Sequence, residues 1–128
     1  MVLDTAQDRY HLERIERRLG DQSVKLAFSS ILETLRRQNR FELETSPNGA
    51  YSVLNLRYND RRCYALRGTR GWIAWYFRKP AFEEEIVTRQ SVLSTFVDSE
   101  PFKNDSAEEI WIKVRTPREA TRVLDFIV

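Results

Sequence analysis

The sequence predicts an α+β fold, with a single domain that spans residues 1–128. Two observations carry this prediction. Apolar residues recur at helical spacing near both ends of the chain, and β-favouring runs separated by short turns fill its middle. Because those turns are too short for a parallel crossover, the strands must pair antiparallel. We therefore expect two N-terminal helices, a four-stranded antiparallel meander, a helix, a fifth strand and a C-terminal helix.

Two helices are predicted before the first strand. The first covers residues 5–19, carries a thin apolar stripe among many charges and ends before Gly20. Its histidine, His11, is expected to face solvent. Asp21 or Ser23 caps the second helix, whose continuous apolar face is wide enough to cover a sheet. That face consists of Val24, Ala27, Phe28, Ile31, Leu32 and Leu35.

Four strands are predicted between residues 41 and 79. Residues 41–45 alternate apolar and polar side chains, and the Ser-Pro-Asn-Gly sequence at residues 46–49 predicts a turn. Three aromatic-rich runs follow, separated by turn-forming residues at 59–60 and at 68–71. Pro80 ends this meander because proline cannot donate to a strand ladder.

The C-terminal part of the chain predicts a helix, a strand and a second helix. Residues 82–97 carry apolar positions compatible with one helix, with the glutamates at 83–85 in its first turn, where the helix dipole favours anions. The polar, acidic segment 98–109 predicts a loop. Residues 110–115 alternate as a strand, and the Thr-Pro-Arg-Glu sequence at 116–119 predicts a capping box with proline at the first helical position.

The scarcity of histidine and cysteine narrows the chemistry of the chain. One histidine and one cysteine, Cys63, argue against a zinc hydrolase, a Ser-His-Asp enzyme and a haem protein, and a lone cysteine forms no internal disulfide. Nucleotide-binding glycine loops and the GxSxG elbow are also missing from the sequence. We predict no catalytic residue, no metal site and no cofactor, and expect that the protein is not an enzyme.

The composition also bears on location. No apolar run approaches the ~20 residues that a membrane helix needs. The N-terminal residues have neither the basic nor the apolar region of a secretory signal. We therefore expect a cytoplasmic protein with no membrane partner.

Charge is unevenly distributed along the chain, although the net charge is only +2. Residues 57–79 carry seven cations against one anion, whereas residues 81–109 carry eight anions against two cations. Such separation can steer partners toward one part of a protein. The alternative is that the two blocks neutralise each other, either within the fold or across a homo-oligomer.

The basic stretch also contains two of the three tryptophans, and it supplies the candidate binding residues. In its last run, Trp72, Tyr76 and Arg78 share one face of the strand and Trp75 lies on the other. The sequence leaves open which face packs on the helices, or whether helices cover both. The candidate binding residues are Arg57, Arg61, Arg62, Arg67, Arg70, Trp72, Trp75, Tyr76, Arg78 and Lys79.

These features lead to one leading hypothesis and two alternatives. The leading hypothesis is a non-enzymatic binding module that acts through its aromatic and arginine-rich sheet, on a protein partner or on a second copy of itself. The first alternative is nucleic-acid binding by the basic hairpins 57–79, which the small net charge disfavours. Residues 70–77 are similar in part to the aromatic strand of RNA-recognition motifs, but the order of elements differs, so that family is not assigned. The second alternative is a metal-dependent enzyme that uses acidic residues.

Overall fold

A computed structural model describes residues 3–96, 100–101 and 109–127. The helices are α1 (Ala6–Arg17), α2 (Gln22–Arg37), α3 (Lys79–Glu83), α4 (Arg89–Thr95) and α5 (Pro117–Ile127). The strands are β1 (Glu42–Asn48), β2 (Tyr51–Tyr58), β3 (Arg61–Gly68), β4 (Ile73–Phe77), β5 (Glu100–Pro101) and β6 (Ile110–Val114). The predicted α+β class is confirmed, as is the predicted order of elements apart from one divided helix and the added two-residue strand β5.

The strands form an antiparallel sheet in the order β1-β2-β3-β4-β6-β5. Asn59 and Asp60 both have positive φ angles, 51° and 61°, as a two-residue hairpin turn between β2 and β3 requires. The predicted turn at 46–49 begins later than expected, because Pro47 still pairs with Ser52 and the chain reverses at Gly49. Proline is tolerated there because β1 is an edge strand.

One face of the sheet packs against the helices. All five helices bury residues in a hydrophobic core that also contains Ile73, Trp75 and Phe77 of β4. No described helix covers the opposite face, which we call the open face. The alternate residues of the strands form it: Glu44, Ser46, Val53, Asn55, Arg57, Arg62, Ala65, Arg67, Ala74, Tyr76, Trp111 and Lys113.

Helix α1 lies directly on β3 at Gly68. A Cβ atom at this position would stand 2.5 Å from the carbonyl oxygen of Ile15 and 2.9 Å from a methyl group of Leu19. Only glycine allows this approach without a shift of the helix. The carbonyl of Gly68 also accepts a hydrogen bond from Nε of Arg18, at 3.1 Å, which joins the end of α1 to the sheet.

The prediction that His11 faces solvent is wrong. His11 is buried, and its Nδ1 lies 2.6 Å from Oγ of the buried Ser52 on β2. Its Nε2 lies 3.3 Å from the side-chain nitrogen of Gln7. A buried polar ring needs such hydrogen-bond partners. The contact between His11 and Ser52 joins α1 to the sheet.

The predicted single helix over residues 82–97 is divided into α3 and α4. Glu85 adopts a left-handed conformation, with φ of 59°, and ends α3. The backbone amides of Glu85 and Ile86 donate to the carbonyls of Phe82 and Ala81, both at 3.1 Å, in the pattern of a Schellman C-cap. The glutamates at 83–85 therefore end a helix, and the prediction that they begin one is wrong.

The final helix forms as predicted. Oγ1 of Thr116 accepts from the amide of Glu119 at 3.1 Å, and Oε1 of Glu119 accepts from the amide of Arg115 at 2.7 Å. Most of the predicted loop 98–109 lies outside the described residues, although residues 100–101 pair with β6. Among the helices of the described chain, none is long and apolar enough to cross a membrane.

Candidate binding site

The strand register explains why the open face is hollow at its centre. Asn55, Ala65 and Tyr76 lie side by side on β2, β3 and β4, and Arg67 lies beside Ala74 in the next row. Ala65 at the centre has a short side chain, whereas the longer side chains of Arg67 and Tyr76 stand beside it. The result is a concavity of about 570 Å³. It is lined by Ser46, Pro47, Asn48, Tyr51, Val53, Asn55, Arg62, Ala65, Arg67, Tyr76, Arg78 and Glu109.

A bulge in β3 places Arg62 on the open face. Leu56 pairs with Tyr64 but Arg57 pairs with Arg62, so Cys63 is an extra residue in the ladder. Simple alternation from the buried Tyr64 would point Arg62 toward the core. The bulge reverses this direction and leaves Cys63 buried among core residues.

Two of the three arginines in the concavity are paired with carboxylates. Arg62 Nε donates to Glu44 at 2.8 Å, and Arg78 Nε donates to Glu109 at 2.8 Å. The Arg62–Glu44 pair is partly exposed on both sides, and such an ion pair contributes only about 0–1 kcal/mol, whereas the Glu109 side chain is 12% exposed and its pair with Arg78 is better shielded from solvent. An incoming anion can therefore compete with Glu44 for the guanidinium group of Arg62.

Arg67 differs from these two arginines because it has no carboxylate partner among the described residues. Its Nε donates to the hydroxyl of Tyr76 at 3.0 Å, and its guanidinium carbon lies 4.8 Å from the ring centroid of Tyr51. Arg18 approaches the same tyrosine ring at 5.2 Å. These contacts orient the Arg67 guanidinium and leave both of its terminal nitrogens without a hydrogen bond to the described chain.

Asn55 places an amide on the floor of the concavity. It is 1% exposed, and its side-chain nitrogen donates to Oγ of Ser46 at 2.9 Å. No described residue donates to its side-chain oxygen, and this oxygen is not sealed from solvent, since the buried side-chain polar atoms without a partner in the described chain are the Tyr64 hydroxyl and the Trp75 indole nitrogen. The amide therefore has one end that is free to accept a hydrogen bond from a ligand in the concavity.

The other predicted residues are spread over several environments. Arg57 lies on the open face, 3.6 Å from both Glu42 and Asp60. Trp72 lies on the same side, with the Lys113 ammonium 4.5 Å from its ring centroid. These two positions flank the concavity and do not line it.

Three further candidates lie outside the open face. Arg61 binds Glu83 and Glu84, and these hydrogen bonds raise the pKa of Arg61. Lys79 lies 3.9 Å from Glu83. Arg70 is exposed in the loop between β3 and β4, where its carbonyl accepts from the amide of Gly20. The acidic and basic blocks of the sequence thus neutralise each other partly within the fold.

Trp75 must be removed from the candidate binding residues. Its side chain is fully buried on the helix-facing side of the sheet, next to Tyr64. A ring in this position has no surface for a ligand. Of the ten predicted residues, the structure brings four together in the concavity: Arg62, Arg67, Tyr76 and Arg78.

Comparisons with models of protein families, with curated proteins and with solved structures found no significant match. The site must therefore be interpreted from its own chemistry.

That chemistry is suited to binding. Sequence reasoning missed several lining residues. Tyr51 supplies a ring, Val53 part of the floor, Asn55 an amide and Glu109 a carboxylate. Within the described chain, no three His, Cys, Asp or Glu side chains come together so that they could hold a metal ion. The arrangement offers oriented guanidinium groups to an anion and a shallow apolar floor to the group that carries it.

Proposed function

We propose that the protein is a non-catalytic binding module that binds its partner in the open-face concavity, through an anionic group of that partner. The observation that carries the proposal is the environment of Arg67. This guanidinium lines a concavity, is held by Tyr76 and Tyr51, and has no carboxylate partner in the described chain.

An oriented arginine is a strong receptor for an anion. Its planar fork matches the geometry of a carboxylate or a phosphate, and two parallel hydrogen bonds can form. Hydrogen bonds to charged groups contribute about 1.5–3 kcal/mol each. Because Nε is already used by Tyr76, the two terminal nitrogens of Arg67 are the donors that remain for the partner.

The charge pattern of the open face favours a localised anion over a long polyanion. Arg57, Arg62 and Arg78 each have an acidic neighbour within 4 Å, so a polyanion would meet carboxylates beside these cations. Nucleic-acid binders carry an excess of cations along the track of the backbone. A partner with a single anionic group avoids most of this repulsion.

The first test of the proposal uses inorganic pyrophosphate as the probe. We expect pyrophosphate to raise the melting temperature of the full chain above that in sodium chloride of equal ionic strength. At ten times the dissociation constant, binding stabilises the folded state by about 1.4 kcal/mol, which is about 4–6 °C for a chain of this size.

Variants of the key arginine decide the outcome. Arg67→Gln should abolish the shift, and Arg67→Lys should retain only part of it, because lysine keeps the charge but loses the fork. Arg36→Gln, which removes the same charge from an exposed position on α2, is the matched control and should retain the full shift. A shift that survives in Arg67→Gln, or no shift in the wild type, would refute the proposal.

A further inference from the structure

The floor and the volume of the concavity indicate that it takes a small organic ligand as well as an anion. Its volume of about 570 Å³ is within the usual range of small-molecule sites, roughly 300–1,000 Å³. Val53 and Ala65 form apolar parts of the floor, and Tyr51 and Tyr76 stand around it. An inorganic anion on Arg67 would leave most of this space unused.

The amide of Asn55 adds a hydrogen-bonding requirement. One end of the amide is fixed by Ser46, and the other end, its carbonyl oxygen, lines the concavity without a donor in the described chain. Because this oxygen retains contact with solvent, a donor on a ligand replaces water there, and the net gain from such a hydrogen bond is about 0.5–1.5 kcal/mol. A ligand with an N–H or amino group at this point would supply that hydrogen bond.

The anion receptor and the amide lie close enough for one small ligand to reach both. Asn55 pairs with Ala65, and Arg67 is two residues further along β3 on the same face. The Cα atoms of such diagonal neighbours on an antiparallel sheet are about 7–8 Å apart. A ligand that spans them needs an anionic group at one end and a hydrogen-bonding edge at the other.

We propose that the concavity binds a mononucleotide, with its phosphate on the terminal nitrogens of Arg67 and the edge of its base on the Asn55 amide. This inference rests on the proposed function and specifies its partner. A nucleoside monophosphate combines the required chemistry: two or more phosphate oxygens for the arginine fork, and a flat heterocycle with N–H or amino donors for the amide.

Equilibrium dialysis of the full chain tests the assignment, with AMP, GMP, CMP and UMP as ligands. Two matched sets of probes serve as controls. Ribose 5-phosphate lacks the base, and the four nucleosides lack the phosphate. We expect at least one mononucleotide to bind about tenfold or more tightly than ribose 5-phosphate and than its own nucleoside.

Two variants separate the roles of the two ends. Arg67→Gln should weaken binding of the tightest mononucleotide by about tenfold or more, and Arg67→Lys should have an affinity between those of the wild type and Arg67→Gln. The control Arg36→Gln should change the affinity by less than about twofold. Asn55→Val should remove the preference for the mononucleotide over ribose 5-phosphate and leave Arg67-dependent binding of ribose 5-phosphate intact. Circular dichroism and melting temperatures establish that each variant is folded.

The outcomes distinguish this inference from the proposed function. If ribose 5-phosphate binds as tightly as every mononucleotide and depends on Arg67, the mononucleotide assignment is overturned and the proposed function stands. If no anionic probe binds in a manner that depends on Arg67, both are overturned. If a single-stranded ten-nucleotide oligomer binds and no mononucleotide does, the assignment is overturned in favour of a nucleic-acid strand.

Discussion

Replacing Gly68 with alanine tests how α1 is positioned on the sheet. The new methyl group would stand 2.5 Å from the carbonyl oxygen of Ile15 and 2.9 Å from a methyl group of Leu19. The leucine methyl group can rotate away, but the carbonyl is part of the α1 backbone. The helix must therefore shift by several tenths of an ångström, and the hydrogen bond from Arg18 to the Gly68 carbonyl shifts with it.

The expected cost follows from two opposing contributions. Overpacking a well-filled site costs about 1–3 kcal/mol. Removing a glycine from the unfolded chain returns about 0.4–1 kcal/mol where the new residue fits without strain, so this gain is small beside the clash. We expect Gly68→Ala to lower the free energy of unfolding by about 2 kcal/mol, which for a chain of this size is a fall in melting temperature of about 6–10 °C.

Gly71→Ala is the matched control in the same hairpin. A Cβ atom at Gly71 meets nothing within 4 Å, and its φ is not in the left-handed region. We expect this variant to change the free energy of unfolding by less than about 1 kcal/mol. Urea unfolding followed by circular dichroism measures both. Equal stability of the Gly68→Ala and Gly71→Ala variants would refute the close contact between α1 and β3.

Three further predictions concern the acidic residues. Glu85→Gly should raise the free energy of unfolding by about 1 kcal/mol in urea unfolding, because glycine adopts the left-handed C-cap without strain. Glu109→Gln should bind pyrophosphate about two- to fivefold more tightly in calorimetry, because it releases Arg78 and removes a negative charge. Hydrogen bonds from Asn59 and then Arg61 lower the pKa of Glu84. The ionised carboxylate therefore stabilises the folded state above its unfolded pKa of about 4.3, and this stabilisation is lost as the pH falls through the folded pKa. Glu84→Gln should flatten the fall in melting temperature below about pH 4.3.

Each of these predictions has a result that contradicts it. A Glu85→Gly variant no more stable than the wild type would contradict the cap geometry that ends α3. Unchanged or weaker pyrophosphate binding by Glu109→Gln would show that the carboxylate does not compete for Arg78. If the melting temperature falls equally steeply at acid pH in Glu84→Gln and in the wild type, the Asn59 and Arg61 contacts do not hold this carboxylate.

Local signals were sufficient to predict most of the elements. The Asn59-Asp60 turn and the capping sequence at 116–119 appear where the sequence places them, because each depends on residues only a few positions apart. The sequence contains no such local signal for the break that divides the predicted 82–97 helix. Its cap is formed by Glu85, and the sequence cue for a left-handed cap is glycine.

The environment of individual side chains was harder to predict because it depends on distant partners. His11 was expected in solvent on the basis of its charged neighbours, yet its partner Ser52 is 41 positions away. Alternation correctly separated Trp75 from Trp72 and Tyr76, but could not show which side the helices cover. The concavity required the strand register, since Asn55 is brought beside Ala65 only by the pairing of β2 with β3.

Chemical-shift mapping by NMR tests the central claim most directly. The full chain, labelled with ¹⁵N, is titrated with pyrophosphate, and the Arg67→Gln variant is titrated in parallel. We predict the largest changes at the backbone amides of Val53, Asn55, Ala65 and Arg67, and their loss in the variant. Changes confined to the helical side of the molecule, or the same pattern in the wild type and in Arg67→Gln, would contradict the assignment of the open face as the binding site.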